Sequence, residues 1–326
     1  METTMSAPQP TSSADNVLLK MGDAYYDFYW MKAMLQKARA CRTPGSTLIV
    51  GNSYGVYDVL TRFWSNAINC SSASQDLYYS FLCVKKACGS VSSRYFSRCF
   101  ILGGYYMFGH DLSLSETECE SRISSLFYPL FHDAHHWQTP YAMNHREDVL
   151  KQVPSEIREK VQKLFVQFEK DAIQEFTETG SYFLPAKLRD TAVAIDDVKN
   201  PWAQAAAEER TRWSEFRTFA HNRLFSHKAS LEENREILNN LVQYLCEHQV
   251  EPIIVIAPFS EEYNRLILPE MKADLTARLK TLPKSARILD LNEMSCFDSG
   301  DFLDPDHMSE AGAEKVSRIL VETFGH

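Results

Sequence analysis

Five short apolar runs punctuate the chain, at residues 47–50, around 67–70, at 99–102, at 252–257 and at 287–291, each bounded by polar or turn-forming residues. Runs of that length and setting predict strands. Most of the intervening stretches repeat their apolar positions at three- and four-residue intervals, which predicts helices between strands and therefore a parallel sheet flanked by helices. The first such helix is expected over residues 16–40, ending at Thr43-Pro44-Gly45. About 150 residues part the third strand from the fourth, far more than one crossover helix needs. The excess is charged and helical in pattern, most clearly over 146–176 and 208–248, and is read as an insertion.

The fold expected is thus α/β: a three-layer α/β/α sandwich on a five-stranded parallel sheet, with a large helical insertion between the third and fourth strands. Residues 1–15 read as a flexible leader, 16–112 as the first part of the α/β domain, 113–230 as a mostly helical cap, and 231–326 as the second part. No internal repeat of solenoid period is visible.

With 326 residues, 44% of them hydrophobic, the chain can bury a substantial core. A formal charge of -9 gives no general field for nucleic acid or an anionic membrane. The leader has neither a basic cluster nor an apolar core like a signal peptide, and no apolar run approaches the roughly 20 residues that span a bilayer. The expectation is a cytoplasmic protein. Its eight cysteines show no C-x-x-C spacing, so they read as free, mostly buried thiols rather than disulfides or a metal site.

The chemistry starts at Gly51-Asn52-Ser53-Tyr54-Gly55, where the first strand gives way to a helical pattern. The segment fits G-x-S-x-G, a turn that exposes a serine nucleophile. In α/β-hydrolases an earlier strand and its loop complete the oxyanion hole. Only one plausible strand precedes Ser53, so the topology argues against that family. A serine needs a positioned base, and the other end of the chain offers Asp304-Pro305-Asp306-His307. Three-residue spacing lets one short loop carry both an imidazole, His307, and the carboxylate that orients it, Asp304. Taken singly, Ser53 suits a turn and Asp304-Pro305-Asp306 a helix cap; the pairing points to catalysis.

This constellation resembles the SGNH, or GDSL-type, hydrolase superfamily, whose nucleophile follows the first strand and whose D-x-x-H motif lies near the C-terminus. Gly51-Asn52-Ser53 stands for its G-D-S block, with asparagine in place of aspartate. Ser74 is the nearest match to the glycine that lends a backbone N–H to the oxyanion. Leu102-Gly103-Gly104-Tyr105-Tyr106 resembles L-G-G-N-D, with Tyr105 in the place of the oxyanion asparagine. The segments 74–80 and 101–113 are also similar to SGNH-like proteins found with bacterial surface-polysaccharide genes, some related to the alanyl-transfer protein of teichoic acid modification. The resemblance implies Ser53 as nucleophile, His307 as base and Asp304 as its orienting acid. It further implies oxyanion donors at Ser53, Ser74, Gly104 and Tyr105, and substrate contacts at Asn52, Tyr54 and Tyr106.

The activity expected is serine-dependent ester hydrolysis, by a deacylase or esterase acting on an acylated carbohydrate, with no cofactor or metal required. An O-acyltransferase using the same triad is a neighbouring outcome. A non-catalytic scaffold binding a glycan or protein partner is the rival, favoured by Tyr105 and opposed by the intact D-x-x-H. His132-Asp133-Ala134-His135-His136, with His110-Asp111 upstream, holds metal-binding side chain types at a spacing that matches no ligand motif, and reads as a polar loop. A metal-dependent hydrolase built on that cluster would instead carry bound metal. Tyr78-Tyr79 and Tyr105-Tyr106 read as core or pocket-wall aromatics, Trp202 and Trp213 as packing of the insertion onto itself, and the charged run over 208–217 as a solvated helix face.

Overall fold

All five apolar runs are strands of one sheet in the computed structural model of the chain, which describes residues 22–89, 93–115, 118–142, 147, 150–151, 154–182 and 201–325. In chain order, helix α1 (Gly22–Ala40) leads into β1 (Ser46–Gly51), a short α2 (Ser53–Tyr57), β2 (Ala67–Asn69), α3 (Leu77–Cys88) and β3 (Phe96–Gly103). A π-helical segment, Cys119–Phe127, opens the insertion, followed by α4 (Ser155–Thr179) and α5 (Ala207–Leu224). Helix α6 (Lys228–Glu247) returns the chain to β4 (Glu251–Ile256), after which α7 (Pro269–Leu279), β5 (Arg287–Asp290) and α8 (Glu310–Phe324) complete the fold. The expected leader, and residues 16–21 of the expected first helix, lie outside the described residues. Helix α6 starts three residues ahead of the expected re-entry at Leu231, and its first turn already buries Ser230 and Leu231.

The sheet is parallel throughout, in the order β2-β1-β3-β4-β5. Alternation along β3 shows why both faces are covered. Cys99 faces the α3 side, where Cys83 Sγ lies 3.8 Å from Met31 Sδ of α1. Phe100, on the opposite face, meets Phe324 of α8 with ring centroids 5.4 Å apart and Trp64 at 6.0 Å. The middle strands are buried along most of their length, whereas Arg287 and Ile288 of β5 are exposed, as suits an edge. The cysteines are free thiols, five of them buried.

The insertion covers two regions. Helix α4 lies along α1, with Phe176 edge-on to Trp30 at 5.3 Å and Lys32 Nζ 3.2 Å from Glu169. Helix α5 lies over the C-terminal ends of the strands, and Trp202 packs near Trp213 at 6.1 Å within the insertion. Among the described residues no helix is long and apolar enough to cross a membrane.

This strand order reverses direction between β1 and β3, since one chain connection leaves toward β2 and the other toward β4. In an open parallel sheet that reversal leaves a crevice at the carboxyl ends of the two strands. Both Ser53, just after β1, and Gly104-Tyr105-Tyr106, just after β3, are delivered there.

Candidate active site

Gly51 ends β1 with φ +149°, and a Cβ there would lie 2.4 Å from the Leu102 carbonyl oxygen of β3. A side chain would force β1 and β3 apart at their carboxyl ends, so glycine is required. Asn52 then caps α2: its Oδ1 accepts from Tyr54 N at 3.1 Å, and its Nδ2 donates to Tyr106 Oη at 3.1 Å. The cap sets Ser53 at the start of the helix, facing the crevice.

The opposite end of the chain meets it there. Phe302 and Met308 form an antiparallel bridge, and Leu303 N donates to His307 O at 2.9 Å, so the segment between them is a closed loop. Asp304 Oδ1 accepts from the backbone N–H groups of Asp306 and His307, both at 2.9 Å. Its other oxygen, Oδ2, lies 2.8 Å from His307 Nδ1, and His307 Nε2 lies 2.8 Å from Ser53 Oγ. Residues 254 apart in sequence are thus in hydrogen-bond contact.

A second carboxylate supports the imidazole from behind. Asp306 is fully buried; Arg217 Nε of α5 donates to its Oδ1 at 2.8 Å, and Tyr54 Oη donates to its Oδ2 at 3.0 Å. Burial alone would favour a neutral acid, but His307 and Arg217 hold Asp306 well below the usual carboxylate range. For His307, burial works against the charged ring, while Asp304 and Asp306 outweigh it and push the pKa up to about 9. Burial, reinforced by Asp306, raises the Tyr54 phenol well above its ordinary value, so it remains a donor. His221 of α5 is driven well below its ordinary value by burial and by Arg217, and is a neutral imidazole.

A cavity of about 350 Å³ opens beside Ser53, walled by Asn52, Ser74 and Tyr106 from the strand ends and by Arg217 and His221 from α5. Beside His307, and sharing Arg217 with that cavity, an open groove of about 510 Å³ is lined by Trp213 and Phe216, the latter 81% exposed.

Ser53, His307 and Asp304 are brought together, and Asn52, Ser74 and Tyr106 share the cavity with Ser53. Ser74 has φ +57°, a left-handed conformation that glycine adopts most readily. Among the described residues the Ser53 and Ser74 N–H groups donate to no other protein group. Three expected contacts do not reach the cavity. Tyr54 is fully buried beneath it and serves Asp306. Gly104 is clamped between rings, since a Cβ there would lie 3.0 Å from both Phe259 and Tyr54 and 3.3 Å from Tyr106. The chain turns at that point, with Met107 N donating to Gly104 O at 3.0 Å, and successive side chains part company. Tyr105 points toward Asn292, whose Nδ2 donates to its hydroxyl at 2.9 Å, while Tyr106 faces the cavity.

Sequence reasoning missed Arg217, His221 and the separate role of Asp306. Arg217 falls in the charged run read as a solvated face, yet Trp213, Arg217 and His221 recur every four residues and so share one side of α5. That row was the available signal. As to metals, the oxygens of Asp306 are engaged by Arg217 and Tyr54, and the His307 nitrogens by Asp304 and Ser53. A separate cluster of possible ligands comprises Asp111, His135, His136 and Glu233. His132 lies outside it, and His110 instead places Nε2 3.1 Å from Ser74 O. Comparison with protein-family models and with curated proteins yields no match.

Proposed function

We propose that the chain is an SGNH-type serine ester hydrolase, a deacylase or esterase acting on an acylated carbohydrate. The observation that carries this reading is the unbroken relay from Ser53 Oγ through His307 to Asp304, with 2.8 Å at each step. Neutral His307 accepts the serine proton as Ser53 attacks the ester carbonyl, and the resulting imidazolium returns that proton to the departing alkoxide. Asp304 holds the ring in the tautomer whose Nε2 faces the serine. Water then attacks the acyl-serine ester with His307 again as base, releasing the acid and restoring Ser53.

The N–H groups of Ser53 and Ser74 are the backbone donors for the tetrahedral oxyanion. The Asn52 amide and Tyr106 hydroxyl, on the same cavity wall, are offered as its side-chain partner in place of Tyr105. A polar cavity with hydrogen-bonding groups from Asn52, Tyr106 and Arg217 suits a sugar better than a purely apolar alcohol.

One observation favours O-acyl transfer as a second reading. The cavity reaches Ser53 and the groove lined by Trp213 and Phe216 reaches His307, with Arg217 as their shared wall, which gives donor and acceptor separate approaches. The test begins with a serine-directed fluorophosphonate: modification of the wild-type protein at Ser53, absent in Ser53→Ala with an unchanged melting temperature, is the expected result. A well-folded wild-type protein inert to the probe and to short acyl esters would refute the enzyme and leave a scaffold. Adding a polyol acceptor to an ester assay separates hydrolysis from transfer by the product formed.

A further inference from the structure

We propose that Asp111, His135, His136 and Glu233 form a divalent-cation site of the zinc type, which fastens the histidine loop of the insertion to the α/β core. The four come from three separate places: Asp111 from the segment after β3, the histidines from the loop after the short helix Tyr128–Phe131, and Glu233 from α6. Their potential ligand atoms all lie within 4.8 Å of one another.

Counting hydrogens motivates the site. The Nδ1 atoms of both rings face Asp111, His136 at 2.8 Å from Oδ2 and His135 at 3.4 Å from Oδ1. Both Nε2 atoms lie 3.2 Å from one and the same oxygen, Glu233 Oε1. A neutral imidazole has a single N–H. Whichever nitrogen carries it, each ring is left with one lone pair facing a carboxylate; with both N–H groups on Asp111, two nitrogen lone pairs and a carboxylate oxygen converge on one point, an arrangement that repels itself until positive charge is supplied. Two extra protons would supply it, but they would set two imidazolium rings face to face with centroids 3.9 Å apart. One dication supplies the same charge and bonds all three atoms.

The spacing agrees with that choice. Zinc bonds of about 2.0–2.2 Å in tetrahedral array place neighbouring donor atoms about 3.3–3.6 Å apart, so the 3.2 Å found between Glu233 Oε1 and each Nε2 needs to open only slightly to admit the ion. Asp111 then acts as the outer carboxylate that fixes both ring orientations. His136 and Glu233 keep 40% and 38% of their side chains in solvent, so water can complete the coordination. The rings lie 25° from parallel, and binding is expected to open that angle toward Glu233 so that both lone pairs meet the ion. His135 is held in place beforehand: Tyr78 stacks on it at 3.9 Å and donates its hydroxyl to Asp133, whose Oδ1 accepts from His135 N at 3.0 Å. Because Asp111 also walls the cavity beside Ser53, and neighbouring His110 contacts Ser74 O, the ion would brace one side of that cavity.

The full chain, stripped with chelator and returned to neutral buffer, is titrated with zinc(II) by calorimetry, with bound metal counted by mass spectrometry. One equivalent with micromolar or tighter affinity is expected, together with a rise in melting temperature. Glu233→Gln, which keeps the shape of a half-exposed helix residue, and His136→Ala should each weaken zinc binding at least 10-fold, whereas Asp304→Asn should leave it intact. Circular dichroism confirms that each variant is folded. Failure of the folded wild-type chain to take up zinc, or uptake insensitive to both Glu233→Gln and His136→Ala, would overturn the site. These readouts need no catalytic activity, so they stand apart from the reading of Ser53.

Discussion

Raising the pH from 7 to 9 should activate Ser53 strongly, because the base beside it begins mostly protonated. Burial opposes a charge on His307, but Asp304 and Asp306 prevail and move its pKa up to about 9. At pH 7 only about 1% of the rings are then neutral and able to accept the serine proton, so the fluorophosphonate labelling rate should climb nearly tenfold per pH unit and level off above about 9. The same shift has a consequence for stability. With a folded pKa above the unfolded value of about 6.5, His307 contributes stability that is fully present below pH 6.5 and lost as pH rises through about 9. The span of roughly 2.5 units corresponds to about 3 kcal/mol, readable as a lower denaturation midpoint at pH 9.5 than at pH 6. Asp304→Asn removes the largest influence raising the pKa, and should bring the inflection down while lowering the plateau. A wild-type inflection near 6.5, or one that stays near 9 in Asp304→Asn, would refute the electrostatic account of the site.

Two further outcomes follow from the same contacts. Arg217→Met leaves the fully buried Asp306 without its cation; breaking a buried pair costs about 3–5 kcal/mol, and because Arg217 keeps 37% of its side chain in solvent the loss in urea unfolding is expected at or below the low end. An unchanged midpoint would show that Tyr54 and His307 suffice to hold Asp306. Tyr106→Phe removes the hydroxyl to which Asn52 donates in the cavity and should slow labelling and ester turnover by about 10- to 100-fold, whereas Tyr105→Phe, whose hydroxyl accepts from Asn292, should leave the rate unchanged. Reversal of that order would move the oxyanion assignment back to Tyr105.

The sheet was legible because each strand is a short apolar run between turn residues, and its position depends on little else. Ile253 to Ile256 must be covered on both faces, and only a helix-flanked parallel strand does that in this context. The relay was legible for a related reason: the first strand end and the Asp304–His307 loop are both rigidly specified, by a glycine contact on one side and an Asx-type turn on the other. The direction of a side chain within a turn is a different kind of information. Tyr105 and Tyr106 are adjacent and chemically identical, and which one enters the cavity depends on how Gly104 packs between Phe259, Tyr54 and Tyr106. Those rings come from three separate parts of the chain. Likewise His135 and His136 look like polar loop residues until α6 brings Glu233 beneath them.

Asp304 and Asp306 show why the terminal motif needs two acids of unlike setting. Asp304 is half-exposed, accepts two backbone N–H groups and touches the imidazole directly, so it orients the ring. Asp306 lies 3.9 Å from the same nitrogen and cannot orient it, but its buried charge reinforces that of Asp304. A lone buried carboxylate there would take up a proton. It stays ionised because the His307 ring and Arg217, which reaches it from the insertion, both favour the charged form, and the hydroxyl of Tyr54, next to Ser53, donates to it. The insertion is therefore part of the site electrostatically as well as sterically. A chain in which α5 is displaced would keep Ser53, His307 and Asp304 in register and still lose ionised Asp306, so its labelling profile should shift toward lower pH before its fold is lost.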